Sequence, residues 1–500
     1  MRGGTEDLGT APITPLLLRL SLPSIVAMFV QSLYNVVDTF WIARLSALAV
    51  GGLTIVFPLQ MIFVALGVGS GVGLNSYISR RFGAKDPEAA SLAAAQVFFL
   101  ASFLGFAVIL AARLLTDPVL SLFGATSELR PIAASYLRLV CFGAPFLFFN
   151  MMANNLFRAQ GDALRPMLVM LTGAVTNIIL DPLLIFGSDG LSILGTHGAA
   201  VGVRVSWLLG AVGMGPIPAM GVEGAAIATT FSQMLGSMVC LFFLLNRTSY
   251  TFTRRSMYPD LAVLVKVYAV GAPAAVMQLM MSLVITVFNH VLGGFGNLAI
   301  AAFGLDFRIM SLFFMPVFGL SQGLMPIVGF NFGAKRYDRL WEAVRTATFI
   351  AIGVGLLTVM AMQLLARPVL VLISNDDALV DMATPALKLL ILSVPLVAIQ
   401  VMWLITYQAL GRGTTALFLG AVRQIGLLIP LLLILPGRFG VTGVWMAMPM
   451  ADLGGLLVMV YAIYTLKREM GKGKDRVEPD GPSEDNVSDE SQETLAPSEL

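Results

Sequence analysis

Charge is scarce in this chain: Asp, Glu, Lys and Arg supply 12% of its 500 residues, about half the share in an ordinary soluble protein. So little charge excludes a soluble fold, because it could not cover the accompanying 57% of hydrophobic residues. Cysteine and histidine are scarcer still, at two residues each. Cys141 and Cys240 both fall inside apolar runs, which excludes a disulfide framework and leaves small-hydrophobe packing. The chain lacks a His cluster, a paired acidic metal motif on an apolar run and an activated Ser or Cys constellation, so it is not expected to be an enzyme. Period-2 alternation is missing as well, which argues against a barrel and makes helices the default.

What is present is apolar length. Runs such as Leu22 to Trp41 and Phe349 to Leu365 are long enough to cross a hydrocarbon core of ~30 Å. Twelve spans are expected, at roughly 14–43, 47–78, 90–115, 131–157, 165–187, 221–245, 261–293, 297–330, 341–366, 381–410, 414–436 and 440–466. The first has no small-residue cleavage site and is read as a retained signal anchor. Arg80, Arg81 and Lys85 follow span 2, Arg158 and Arg165 flank the turn after span 4, and Arg247, Arg254 and Arg255 follow span 6. Lys335, Arg336 and Arg339 follow span 8, and Lys467, Arg468, Lys472 and Lys474 follow span 12. This bias puts every even-numbered end and both termini in the cytoplasm of a multi-pass cell-membrane protein.

The chain also repeats itself. Phe82-Gly83-Ala84-Lys85 recurs as Phe332-Gly333-Ala334-Lys335, and the same offset pairs Pro23 with Pro273, Gly73 with Gly323, Pro145 with Pro395 and Gly161 with Gly411. A constant offset over so many segments means one half built twice. Six spans per half make the repeat parallel, with its axis along the membrane normal, an arrangement that alternating-access transport uses. The expected fold is all-α and integral to the membrane: twelve helices as two six-helix repeats (6+6) around a central cleft. Its parts are a first lobe at 1–245, a cytoplasmic linker at 246–260, a second lobe at 261–468 and an acidic tail at 469–500 that composition marks as disordered. Gly221-Val222-Glu223-Gly224 aligns with Gly440-Val441-Thr442-Gly443 at a shorter offset, so the first half holds about 31 extra residues near 188–220. These are read as an amphipathic hairpin at the cleft mouth or a plain extended loop.

Polar groups inside the spans carry the functional argument, because a carboxylate at mid-membrane costs ~2.5–3.5 kcal/mol. Gln31, Tyr34, Asn35 and Asp38 fall at i, i+3, i+4 and i+7, on one stripe of span 1. Asn177 and Asp181 share a face of span 5, with Gly173 a turn earlier to let a neighbour approach and Pro182 loosening the backbone. Both spans run outward, which puts Asp38 and Asp181 at one depth, ~8–9 Å below the outer ends. Two acids at one level cannot both ionise freely, which is proton- or sodium-coupling chemistry. Tyr34, Asn177 and Thr229 supply the oxygens and amide beside them, a donor set that suits Na⁺ held by Asp38 and Asp181 or a protonated carboxyl network. Interhelical hydrogen-bond glue is the competing reading for the neutral members.

Gln31, Asn35, Asn150 and Asn154 are candidates for binding the cargo, with Asn155 and Arg158 beside them read as structural. In the second half, Asp306, Arg308, Arg423 and Asp452 are read as an ion network and His290 as a satisfied core histidine. Met151, Met152, Met277, Met280 and Met281 form local soft patches that suit hydrophobic cations, although packing explains most of them.

The duplicated half, Pro23 with Tyr34-Asn35-Val36-Val37-Asp38-Thr39, the run Gly67-Val68-Gly69-Ser70-Gly71-Val72-Gly73 leading to Arg81-Phe82-Gly83-Ala84-Lys85, and Thr176-Asn177-Ile178-Ile179-Leu180-Asp181-Pro182 together resemble the multidrug and toxic compound extrusion (MATE) family over residues 12–468. The resemblance implies a V-shaped pair of six-helix bundles that exports organic cations and drugs in exchange for protons or sodium. It looks most like the archaeal and DNA-damage-inducible branch, in which Tyr34, Asp38, Asn177, Asp181 and Thr229 match the first-lobe cation site. The second-lobe acids of the NorM branch are replaced by Gln278, Met281, Val397 and Gln400. No cofactor is expected beyond the coupling H⁺ or Na⁺. The expected partners are small organic cations and membrane lipid, with no nucleic acid and a monomeric chain. Two alternatives stay open: a lipid-linked oligosaccharide flippase of the same superfamily, which would want a more cationic cavity, and a channel, which a closed polar pocket fits poorly.

Overall fold

A computed structural model describes residues 4–123, 125–190 and 217–471, and every regular element among them is a helix. The first half holds α1 (Thr5–Thr10), α2 (Ile13–Ala43), α3 (Ala47–Gly83), α4 (Pro87–Leu122), α5 (Leu129–Phe142), α6 (Ala144–Ala159), α7 (Leu164–Gly190) and α8 (Gly221–Asn246). A 3₁₀ turn at Arg255–Met257 lies between the halves. The second half holds α9 (Leu261–Gly293), α10 (Asn297–Gly333), α11 (Tyr337–Ile373), α12 (Asp377–Leu390), α13 (Ser393–Ala409), α14 (Gly413–Ala421), a π-helical stretch at Val422–Leu428, α15 (Ile429–Ile434) and α16 (Pro436–Gly471). Two compact units result, Met1–Met459 and Val460–Leu500. The extra segment near 188–220 lies almost wholly outside the described residues, and the acidic tail after Gly471 lies entirely outside them.

Among the described residues ten helices are long and apolar enough to cross a membrane, and counting each of two bent pairs, α5–α6 at 50° and α12–α13 at 44°, as one span gives twelve. The bends have one cause repeated. Pro145 opens α6 and Pro395 sits in the first turn of α13, and each packs its Cα onto a glycine of the preceding long helix. A Cβ on Gly105 would stand 2.5 Å from Pro145 Cα, and one on Gly355 2.8 Å from Pro395 Cα. Helix starts follow ordinary capping: the side chains of Ser46, Asp86 and Asp260 accept from Ala49, Ala89 and Val263 N–H at 3.0, 3.0 and 3.1 Å. Each such cap stabilises its helix by ~1 kcal/mol.

Two buried apolar cores form. One gathers residues of α2–α9 from Trp41 to Val267, and the other residues of α9–α16 from Val284 to Ala451. In lipid, apolar side chains gain little by meeting one another, so helices associate where small residues let backbones touch. The contacts between halves obey that rule and the repeat together. A Cβ at Gly73 would meet Val267 O at 2.3 Å, and one at Gly323 would meet Leu17 O at 3.3 Å; one at Gly69 would meet Ala275 Cβ at 2.7 Å, and one at Gly319 Ile25 Cγ1 at 2.3 Å. Gly83 and Gly333 likewise abut the carbonyls of Phe330 and Arg80. Each pair maps onto the other by the same shift, running from Gly69 and Gly319 in the second half of α3 and α10 to Gly83 and Gly333 at the ends that carry Arg80, Arg81, Lys85 and Lys335. Lys85 and Lys335 themselves take the same left-handed turn, with φ of 61° and 58°.

The segment 246–260 is pinned to the first half. Buried Gln96 of α4 donates to the carbonyls of Ser256 and Tyr258 at 3.1 and 3.0 Å and accepts from Asp260 N–H at 3.0 Å. Tyr250 adds a hydroxyl bond to Leu156 O at 2.8 Å, and burial pushes its phenol above the ordinary range.

Candidate functional site

Three helices of the first half converge on the paired acids. Helix α7 packs on both α2 and α8, and Gly224 sets the second crossing, since a Cβ there would stand 2.3 Å from Leu184 O. That approach brings Thr229 of α8 level with Asn177 of α7. The Asn177 amide donates to Asp181 Oδ1 at 3.1 Å and to Thr229 Oγ1 at 3.4 Å. Pro182 cannot donate to the carbonyl four residues back, so the backbone loosens directly beside Asp181. From α2, Asp38 comes beside the Asp181 carboxyl, and the Tyr34 hydroxyl beside Thr229.

Asp181 is fully buried and Asn177 nearly so. Asp38 Oδ1, Asp181 Oδ2 and Asn177 Oδ1 are buried with no hydrogen-bond partner among the described residues. A hydrogen bond between two carboxyl groups needs a proton on one of them, since a carboxylate only accepts. The three unpartnered oxygens form an acceptor set for a hard monovalent cation in the same place. This donor set is of the chemical kind that suits a proton or Na⁺.

A cavity of ≈290 Å³ opens beside this cluster, at the lower end of the ~300–1,000 Å³ typical of drug-sized sites. Gln31, Tyr34, Asn150, Asn154, Asn177 and Thr229 all line it. Asn35 does not: it is exposed, and its carbonyl is occupied by the Thr39 hydroxyl at 2.8 Å. Gly173 lines the cavity rather than a helix crossing, because the nearest atom to a Cβ there is Ser232 O at 3.7 Å, an ordinary contact. Asn155, beside the cavity stripe, donates to Met151 O at 2.9 Å and receives the Asn75 amide at 3.4 Å, which makes it part of the packing as well as the wall.

Tyr136 of α5 is a member that sequence reasoning missed. It is buried, hydrogen-bonded to Gln60, and close to both Asp38 and Tyr34. A lone aromatic on a helix face carries no signal that separates it from core, and only the packing of α5 reveals it.

The second half resolves differently from its expectation. Arg423 Nε and Asp452 Oδ1 do pair, at 3.2 Å, and Gln400 donates to Asp452 O at 3.0 Å. Asp306 and Arg308 do not join them, because α10 turns Asp306 into the core and Arg308 to the surface. Both Asp306 oxygens lack a partner among the described residues. His290 is exposed rather than a core histidine. Of the methionines, Met151 lines the cavity, Met152 is fully buried, and Met277 receives the Gln408 amide on its sulfur at 3.8 Å. Cys141 and Cys240 are free and buried.

Comparison with known proteins follows the duplication. The MatE family model matches residues 23–183 and again 273–434. The multidrug export protein MepA of Staphylococcus aureus (strain NCTC 8325 / PS 47) is 27% identical over 460 residues, covering 91% of this chain and 95% of that protein. A structure described as the outward-facing conformation of a multidrug resistance MATE family transporter of the MOP superfamily is 27% identical and superposes with a TM-score of 0.83, over 94% of this chain and 99% of that one. A crystal structure of MATE in the straight conformation, also 27% identical, gives a TM-score of 0.84 over 94% of this chain and 100% of that one.

Proposed function

The chain belongs to the MatE family of transporters, and from that premise we propose that it is a secondary active antiporter that exports organic cations and drugs in exchange for protons or sodium. The observation that carries the reading is the meeting of Asp38 and Asp181 inside the first half, bridged to Thr229 by Asn177. The acids exchange their bound H⁺ or Na⁺ with the aqueous phase, and Asn177, Tyr34 and Thr229 carry the change of charge to the wall of the adjoining cavity. Loading from outside favours release of cargo, and discharge to the cytoplasm resets the cycle. Helix α2 is the moving part, since it holds Asp38, and Pro23 interrupts its bonding ladder near the start. Sealing at the Arg- and Lys-rich ends supports a cavity that opens outward, if that side is cytoplasmic as the charge bias argues.

The test is ethidium efflux from proteoliposomes under separately imposed proton and sodium gradients. Gradient-driven efflux in the wild type, lost in Asp38→Asn of normal yield and insertion, is the expected result. Efflux that ignores both gradients, or that Asp38→Asn retains in full, would remove the assignment; conductance without a gradient requirement would mean a channel.

A further inference from the structure

The sealed end of the molecule departs from the repeat at one place. In the second half, Arg80 of α3 fills the turn between α13 and α14: a Cβ on Gly411 would stand 2.8 Å from Arg80 Cζ, and Arg80 Nη1 donates to Leu410 O at 3.4 Å. The shift of the repeat maps Gly411 onto Gly161 and Arg80 onto Phe330, so Phe330 should fill the turn between α6 and α7. The three atoms nearest a Cβ on Gly161 belong instead to Leu8 of α1, at 3.1, 3.2 and 3.6 Å. Leu8 is fully buried, and Phe330 meets the next residue, with Cε1 2.8 Å from a Cβ on Gly9. The counterpart of Leu8, Tyr258, is exposed in the segment that Gln96 holds on α4. The insertion occurs once.

Two sets of contacts hold α1, and they belong to different halves. From the second half, the Asn331 amide donates to Leu8 O at 3.0 Å, Arg336 to Gly9 O at 2.7 Å and Arg339 to Ala11 O. These donors take carbonyls that the end of a helix leaves without an intrahelical partner, and two of them are charged. Arg19 of α2 pairs with Asp7 at 2.9 Å, and that stretch of α2 itself lies on α10, where Gly323 abuts Ser21 and Leu17 O. Toward the first half, the contact of Leu8 with the Gly161 turn is apolar.

We propose that α1 is a latch between the halves: it stays bonded to Asn331, Arg336 and Arg339, and its Leu8 leaves the Gly161 turn each time the sealed end opens. The inference rests on the alternating-access reading, in which that end parts to admit cargo. Six residues of helix reach ~9 Å, too short to keep both partners once they separate. The apolar contact is the one that yields, because Leu8 can leave Gly161 without stripping any polar group of its partner, whereas leaving the second half would orphan three donors and three carbonyls. Leu8 on Gly161 therefore holds the outward-open form.

Spin labels placed pairwise at exposed positions report the three distances: Thr10→Cys on α1, Leu164→Cys on α7 and Asp338→Cys on α11. Double electron–electron resonance is read on the purified full chain in lipid nanodiscs, with buried Cys141 and Cys240 left in place. Leu8→Ala should raise the population with a long Leu164–Asp338 distance by about threefold or more over the Leu8 protein. A long Thr10–Leu164 distance should grow in the same proportion, while the Thr10–Asp338 distance stays single. Leu22→Ala, which trims an exposed leucine of α2, should leave all three as they are. A Leu164–Asp338 distribution unchanged by Leu8→Ala, or shifted equally by Leu22→Ala, overturns the latch. A Thr10–Asp338 distance that splits while Thr10–Leu164 stays single overturns it too, since α1 would then travel with the first half. If Leu8→Ala fails to fold, Leu8→Val gives the same signs with a smaller shift. The measurement uses neither cargo nor gradient, so its failure and a failure of coupled efflux are separate results.

Discussion

At the scale of single residues, the site depends on how few donors serve many acceptors. Asn177 supplies the amide that reaches both Asp181 and Thr229, and bonds to charged groups are worth ~1.5–3 kcal/mol. Asn177→Ala should therefore lower initial rates of ethidium efflux at least tenfold, while Thr229→Val, which removes a shared hydroxyl, should lower them several-fold. Asn35→Ala should stay within about twofold of the wild type. The stripe of α2 was legible in the sequence, but its width was not. At ~100° per residue, Gln31, Tyr34 and Asp38 fall near 0°, −60° and −20°, and Asn35 falls near +40°; packing of α7 and α8 takes in the first three and leaves Asn35 outside. Periodicity shows that a stripe exists, whereas its edge depends on the neighbours. The role of Gly173 was misjudged for the same reason, because a missing Cβ can make room for a helix or for a cavity.

At the scale of elements, the lengths of the apolar runs in the sequence match the ten long helices and the two bent pairs among the described residues. Length and hydropathy locate a span without showing its kink, so 131–157 and 381–410 read as single helices although Pro145 and Pro395 divide them. Glycine contacts supply a prediction with its own control. Gly73→Ala and Gly323→Ala force a Cβ onto Val267 O and Ser21 Oγ, and such overpacking costs ~1–3 kcal/mol. Gly353→Ala meets nothing within 4 Å and should gain ~0.5–1 kcal/mol in its helix. Thermal unfolding of the three variants in detergent should show two lowered midpoints and one raised. The linker offers another case. Gln96→Leu removes the bonds that hold Ser256, Tyr258 and Asp260 and should cost ~1–3 kcal/mol in the same assay, with ethidium efflux still gradient-driven.

At the scale of the molecule, one scaffold is used twice and its chemistry once. The shift that maps Gly73 onto Gly323 maps Asp38 onto Phe288, which is buried in the second apolar core, and Asn35 onto Ile285. The repeat was readable from the sequence because glycine and proline hold their positions for backbone reasons in both halves. The separation of charges was less readable: Asp306 and Arg308 look like neighbours along the chain, but a helix turns positions two apart to different sides. The central claim is that the carboxyl pair of the first half exchanges a cation for the cargo. Its most direct test is ethidium-driven counterflow into proteoliposomes, followed with entrapped pH- and Na⁺-sensitive dyes. The account predicts H⁺ or Na⁺ counterflow in the wild type and none in Asp38→Asn or Asp181→Asn; counterflow of wild-type size in either variant would contradict it.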